Sequence, residues 1–287
     1  MNQFSIDFVT IGNPGNGGDS WGQPNGVGGV NYVYNLGKHE ISREMIEKAN
    51  HMGGLSIGMY DMASLGGNGS SKPATGISWC EAAIFVNFLN SSKGFFPAYK
   101  INASGTFGLW APSDLGYDPN NLYRNKLAKF WLPSRDEWYK AAYGDPLGGW
   151  RTYPLADPHE YPNSVSGGTS GLVYARTAQS GPADITNAGG LSAWGTMAQG
   201  GNVYEWMESA RDRSNDNPDE NRELRGGAWY GSSTGPLARD SLTDGEPSNP
   251  SYNYLNNGFR VAMVPEPSSL SLFFASGIAL SILRRRK

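Results

Sequence analysis

The sequence predicts an irregular, loop-rich α+β domain followed by a short C-terminal hydrophobic helix. Three observations carry this. Of 287 residues, 39 are Gly and 18 are Pro, and only 17% are charged, a composition that favours turns over long helices. Two capping boxes mark short helices in the first half of the chain. After Tyr143 no helical period appears until residue 270, and short apolar runs are broken by Gly, Pro, Asn and Ser.

The elements follow in order. Residues 1–29 read as an N-terminal loop-rich segment, with 11–30 rich in Gly and Asn. Asn31 to Tyr34 and Leu36 to Ile41 read as strand, turn, strand. Ser42 caps a helix to about Met52, with Met45, Ile46 and Ala49 at helical spacing. Residues 53–76 are loop. Ser78-Trp79-Cys80-Glu81 opens a helix that buries Ala82, Phe85 and Leu89. Ser134-Arg135-Asp136-Glu137 opens another, with Trp138, Ala141 and Ala142 inward. In a capping box the Ser oxygen accepts from a free backbone N–H, and the Glu reaches back to the cap residue's own N–H. Short strands continue to Val264.

Composition excludes some functions. The net charge is −3 and no basic patch lies outside the tail, so a nucleic-acid partner is not expected. One cysteine, Cys80, excludes an intrachain disulfide and a Cys-rich metal site; it reads as a small buried apolar residue. The aromatics, 12% with nine Trp, suffice for a core.

Four segments, in order, resemble the sulfatase-modifying-factor family, whose fold is that of the formylglycine-generating enzyme. They are Leu132-Pro133-Ser134-Arg135-Asp136-Glu137-Trp138, Gly201-Asn202-Val203-Tyr204-Glu205-Trp206, Arg225-Gly226-Gly227-Ala228-Trp229 and Gly258-Phe259-Arg260-Val261-Ala262. Leu36 to Ile41 and Ile77 to Phe85 resemble the family's earlier strand and helix. The resemblance spans residues 30–264 and implies an architecture related to the C-type lectin fold. On the residues alone, Gly226 and Gly227 allow close packing or positive φ, Arg225 and Arg260 make buried pairs, and Trp206 and Trp229 are core.

The family's chemistry does not carry over residue by residue. Its active-site serine falls on Ala228 and its two copper-binding cysteines on Gly231 and Pro236. Cu(I) needs soft thiolates, so no copper is expected. The three histidines, His39, His51 and His159, are scattered and do not make the iron cluster of other relatives. Gly231-Ser232-Ser233-Thr234-Gly235 matches the nucleophile-elbow pattern, but Pro236 follows where a helix is needed and every His precedes the Ser. Asp136 and Glu137 fit capping better than acid–base work.

The resemblance implies calcium at Gly201, Val203 and Glu205. The family's further side-chain ligand falls on Ala198, so water would have to complete the six to eight oxygens that calcium takes. A second family site keeps only Asn163. Asp212, Ser214, Asp216 and Glu223 stand at EF-hand-like offsets, but Asn217 replaces the Gly, and a solvated acidic loop is the better reading.

The chain ends Pro265-Glu266-Pro267, an apolar run Leu270 to Leu283, then Arg284-Arg285-Arg286-Lys287. This resembles the PEP-CTERM sorting signal of exosortase-bearing bacteria. The resemblance implies exosortase-type processing, transient residence in the inner membrane, and delivery to the cell surface or extracellular matrix. As a helix the run spans roughly 21 Å, against a bilayer core of about 30 Å. The basic end would stay cytoplasmic. A C-terminal core helix is the competing reading, and four terminal cations speak against it. Met1–Thr10 has no signal-peptide character, so export implies a leader upstream of this start or a start near the mature protein.

Three domains are therefore expected: 1–29, 30–264 and 265–287. The leading function is an exported, non-catalytic protein binding a glycan, such as exopolysaccharide, or a surface protein. Alternatives are an enzyme of the same fold with an unrecognised site, and a retroelement-diversified binding protein, favoured by Ser248-Asn249-Pro250-Ser251-Tyr252-Asn253-Tyr254.

Overall fold

The computed structural model describes residues 4–102, 106–230, 237–239 and 249–265. Among them are nine short strands and three α-helices: β1 (Phe8–Ile11), β2 (Tyr34–Gly37), α1 (Arg43–Gly53), α2 (Trp79–Ser91), β3 (Lys100–Ile101), β4 (Phe107–Gly108), β5 (Phe130–Trp131), α3 (Arg135–Tyr143), β6 (Tyr204–Ala210), β7 (Arg222–Arg225), β8 (Asn257–Gly258) and β9 (Ala262–Met263). The mixed, helix-poor architecture expected from composition is present.

One sheet has the order β1-β2-β9-β5 and another β7-β6-β8; β3 and β4 form a hairpin. The first sheet joins both ends of the domain, with Leu36 of β2 opposite Ala262 of β9 and Trp131 of β5 on the other side of Ala262. In the second, β8 runs parallel to β6, placing Gly258 opposite Glu205.

The expected strand, turn, strand over 31–41 is a single strand, β2, after a bend. Its partner is β1, drawn from the segment expected to be loop. Val9 lies opposite Leu36 and Phe4 stacks on Phe85 at 5.9 Å. The strand is short, and its four residues gain their apolar partners only from the sheet.

The helices start where the caps say. Ser42 accepts the Met45 N–H, and Gly54 ends α1 in the left-handed conformation at φ 61°. Both capping boxes close, Ser78 with Glu81 and Ser134 with Glu137. Ala82, Phe85 and Leu89 of α2 are buried as expected, and so are Trp138, Ala141 and Ala142 of α3. α2 lies in the main core, and buried Asn90 near its end ties it to β5, donating to the Phe130 carbonyl and accepting the Phe130 N–H.

Short strands leave many backbone groups without ladder partners, and buried side chains take them over. Trp79 Nε1 donates to the Met207 carbonyl and Trp206 Nε1 to that of Ile77. Arg222, fully buried, lies 4.0 Å from the Tyr123 ring centroid and 4.7 Å from that of Trp79, a cation–π stack that offsets part of its desolvation. No helix among the described residues is long and apolar enough to cross a membrane. Of the tail residues, Glu266, Pro267, Arg284, Arg285 and Arg286 lie outside the described residues, as do the apolar run and the Gly231–Gly235 pattern; only Pro265 lies within them.

Candidate functional site

Two regions meet where β6 and β8 pair. One is a buried polar core built on the Gly201–Trp206 loop. The other is the exposed segment that leads into β8.

The polar core centres on Arg260. It is fully buried and makes a two-point contact with Glu205, Nε to Oε2 and Nη2 to Oε1, both 2.5 Å. Its remaining N–H groups reach the carbonyls of Gly37 at 2.9 Å and Met197 at 2.8 Å. Trp138 Nε1 also donates to Glu205 Oε2, at 2.7 Å. One residue in the β8–β9 connection thus ties β2, β6 and the loop before β6 together. Burial and the Arg260 charge hold the His39 imidazole down to about 4.

Beside it, Asn202 adopts the left-handed conformation at φ 59°. Its side chain accepts the Ala183 N–H at 2.7 Å and donates to Glu40 at 2.6 Å. Glu40 is buried, and burial first, then the neighbouring Glu205 charge, push its carboxyl well above the ordinary range. Gly201 (φ 86°) packs on Val173, where a Cβ would come within 2.2 Å of the Val173 carbonyl oxygen.

This geometry bears on the calcium expectation. Gly201 and Val203 lie in the loop that enters β6, and Glu205 is the second residue of β6 itself. Both Glu205 oxygens, however, face a guanidinium whose positive charge stands where a cation would need to sit. The residues do not fit a calcium ion while that pair is closed. The EF-hand-like set loses Glu223 for the same reason: it is buried between Arg135 and Arg225, accepting from both. Among the described residues no group of three or more His, Cys, Asp or Glu is arranged to hold a metal.

Arg225 pairs with Glu223 at 2.7 Å, while Trp206 and Trp229 are fully buried, as the residues suggested. Ala228, at the position of the family's serine, is buried in a small cluster with Met62, Val203 and Trp229. Cys80 is half-buried rather than a core residue, and burial raises its thiol. Its N–H, in the first turn of α2, is satisfied by the Pro250 carbonyl at 3.1 Å.

That contact anchors the exposed segment. Asn249 accepts the Ser251 N–H through its side chain and the Tyr252 N–H through its carbonyl. Asn256 gives its carbonyl to the Tyr204 N–H at 2.9 Å, and Leu255 packs on the cluster containing Trp229. Between these anchors Tyr252 and Tyr254 stand 55% and 52% exposed, edge to face at 6.1 Å. Tyr230, exposed and edge to face with Trp229 at 5.0 Å, follows the same cluster. The backbone is held while the rings are free, which suits a contact surface.

Sequence reasoning missed Glu40, which accepts a hydrogen bond from Asn202, 162 residues away. It also missed a second carboxylate, Glu208, fully buried against Tyr99, Asn121 and Arg124. Neither sits in one of the four motifs, and only the fold brings their partners to them.

The family described as Sulfatase-modifying factor enzyme 1-like domain matches residues 35–264. Treponema denticola variable protein 1 is similar in structure at a TM-score of 0.63, with 20% identity over 90% of this chain and 95% of that one. CarF is similar at 0.60, with 21% identity over 91% and 99%. PvdO from Pseudomonas aeruginosa is similar at 0.54, with 15% identity over 91% and 92%. At these identities the likenesses establish the fold. No functionally curated protein shows significant sequence similarity to the chain. With the four motifs in place and the match running from β2 past β9, the chain belongs to the Sulfatase-modifying factor enzyme 1-like domain family.

Proposed function

We propose that this domain is a non-catalytic ligand-binding module, exported and displayed at the cell surface or in the extracellular matrix. The observation that carries the reading is the Tyr252–Tyr254 pair, held out to solvent on a segment whose ends are fixed to α2 and β6. Rigid, amphipathic rings on an anchored backbone give contact area at low entropic cost. Buried Ala228, at the family's serine position, removes one catalytic group. Gly231 and Pro236, at its cysteine positions, offer no thiolate to copper. A glycan or a protein surface is the ligand class, with exopolysaccharide the first to test.

Export rests on the C-terminal tail. Its Pro265-Glu266-Pro267 motif, apolar run and terminal Arg284, Arg285 and Arg286 support passage through exosortase-type processing at the inner membrane.

A second reading has its own observation. The Asn-, Ser- and Tyr-rich segment lies directly before Gly258-Phe259-Arg260-Val261-Ala262, and a structurally similar protein carries the name variable protein. Retroelement diversification of this segment predicts a template repeat beside the gene, which genome sequence settles. An enzyme of the same fold with a different active site remains the third reading; turnover of a bound candidate ligand distinguishes it.

The decisive experiment is a glycan-array and exopolysaccharide pull-down with wild-type protein and a Tyr252→Ala/Tyr254→Ala variant. Binding by the wild type and its loss in a variant with unchanged melting supports the reading. Equal binding by both removes the tyrosine surface from it.

A further inference from the structure

A pocket lies at the C-terminal end of α3. It has a volume of about 180 Å³ and is lined by Asn13, Lys140, Gly144, Asp145, Trp150 and Trp194 among others. Its donors are under-used. Lys140 is 1% exposed, yet one partner is found for its three N–H donors, the carbonyl of Asn13 at 2.8 Å. Trp194 Nε1 is buried with no hydrogen-bond partner. It lies against Gly144, where a Cβ would sit 3.1 Å from that nitrogen. A buried donor left unmatched costs free energy, and buried polar groups are nearly always satisfied.

The charges say what is missing. Among the described residues no carboxylate pairs with Lys140, and burial alone lowers its amine to about 8. Asp145, the one acidic residue among those lining the pocket, is committed elsewhere: Oδ2 to Arg151 at 2.8 Å and Oδ1 to the Leu147 N–H at 2.8 Å. The two side chains that carry an uncompensated amine and an orphaned N–H both line this small cavity. Asp145 and the carbonyl end of α3 disfavour a second negative charge there.

We propose that this pocket binds a small monoanionic carboxylate, its oxygens accepting from the Lys140 ammonium and the Trp194 indole N–H. The site is separate from the tyrosine surface and does not depend on it.

Acetate is the probe. Full-length protein labelled with nitrogen-15 is titrated with sodium acetate, and in parallel with sodium chloride and sodium phosphate at matched ionic strength. The Trp194 indole N–H resonance, assigned by its absence in Trp194→Phe, is followed. Acetate is expected to shift it saturably and chloride to leave it in place. Lys140→Gln is expected to weaken acetate at least roughly tenfold, the scale of a lost hydrogen bond to a charged group. Absence of a saturable acetate shift overturns the proposal, as does unchanged affinity in Lys140→Gln. Phosphate saturating below acetate overturns the monocarboxylate assignment. Should Lys140→Gln fail to fold, acetate-induced stabilisation is compared between wild type and Trp194→Phe; equal stabilisation is likewise decisive against it.

Discussion

Arg260 and Glu205 form a two-point ion pair, 2.5 Å at each contact, between two side chains that are both fully buried. The arginine comes from the Gly-Phe-Arg-Val-Ala motif and the glutamate from the Gly-Asn-Val-Tyr-Glu-Trp motif. Two signatures 55 residues apart are thus halves of one structural joint.

Breaking that joint on one side is expected to be severe. Arg260→Met strands a buried carboxylate, and Glu205→Gln leaves a buried guanidinium without its counter-charge. Each is expected to destabilise by about 3–5 kcal/mol, measured by chemical denaturation. A loss below about 1 kcal/mol would contradict the burial described here. Because Arg260 holds both Glu205 oxygens, the melting temperature is expected to be the same in calcium and in chelator; ligand binding to the folded state alone would raise it.

Glu40 supplies a pH signature. Its folded-state carboxyl titrates well above the unfolded value, because burial and Glu205 oppose its charge. Its contribution to stability is therefore fully present below the unfolded pKa and is lost as pH rises through the folded one. Glu40→Gln removes that loss. The variant is expected to gain stability over wild type as pH rises from about 4, with the difference vanishing at lower pH. Parallel stability curves would rule out a charged-state penalty at Glu40.

The caps are a smaller test. Ser78→Ala and Ser134→Ala each remove an acceptor from a closed capping box and are expected to cost about 1 kcal/mol. In Ser134→Ala the Glu137 carboxylate keeps its bonds from the Ser134 backbone N–H, Tyr32 and Trp131, whereas Ser78→Ala also removes the hydroxyl's own bond to Glu81 Oε2 at 2.7 Å. Ser78→Ala is expected to be the costlier of the two in equilibrium unfolding.

No formylglycine is expected from a Cys-containing sulfatase peptide incubated with the domain and copper. Aldehyde above the no-enzyme background would overturn the non-catalytic reading.

A chain stopped after Val264 is expected to be soluble and to melt cooperatively, since β9 ends at Met263 and completes the first sheet. In the native host, the full chain is expected outside the inner membrane without its tail. Aggregation of the shortened protein, with loss of its transition, would place Leu270 to Leu283 in the core.

Local chemistry was legible before any fold was known. Ser42, Ser78 and Ser134 name their helices because an N-cap acts within three residues of itself, and the buried faces of α2 and α3 follow from helical spacing. The four motifs identified the family for a related reason: Gly201, Gly226, Arg225 and Arg260 answer demands of backbone and charge that few other residues meet. What stayed hidden was non-local. β1 looked like loop because four residues just ahead of a glycine-rich stretch become a strand only when β2 offers its edge. Glu205 looked like a calcium ligand because sequence does not show that Arg260 takes both its oxygens. Glu40 and Lys140 lie outside the four motifs; burial and the Glu205 charge set the environment of the first, and burial that of the second. Short-range hydrogen bonding is written in adjacent residues, whereas desolvation and ion pairing depend on what the tertiary fold packs against them.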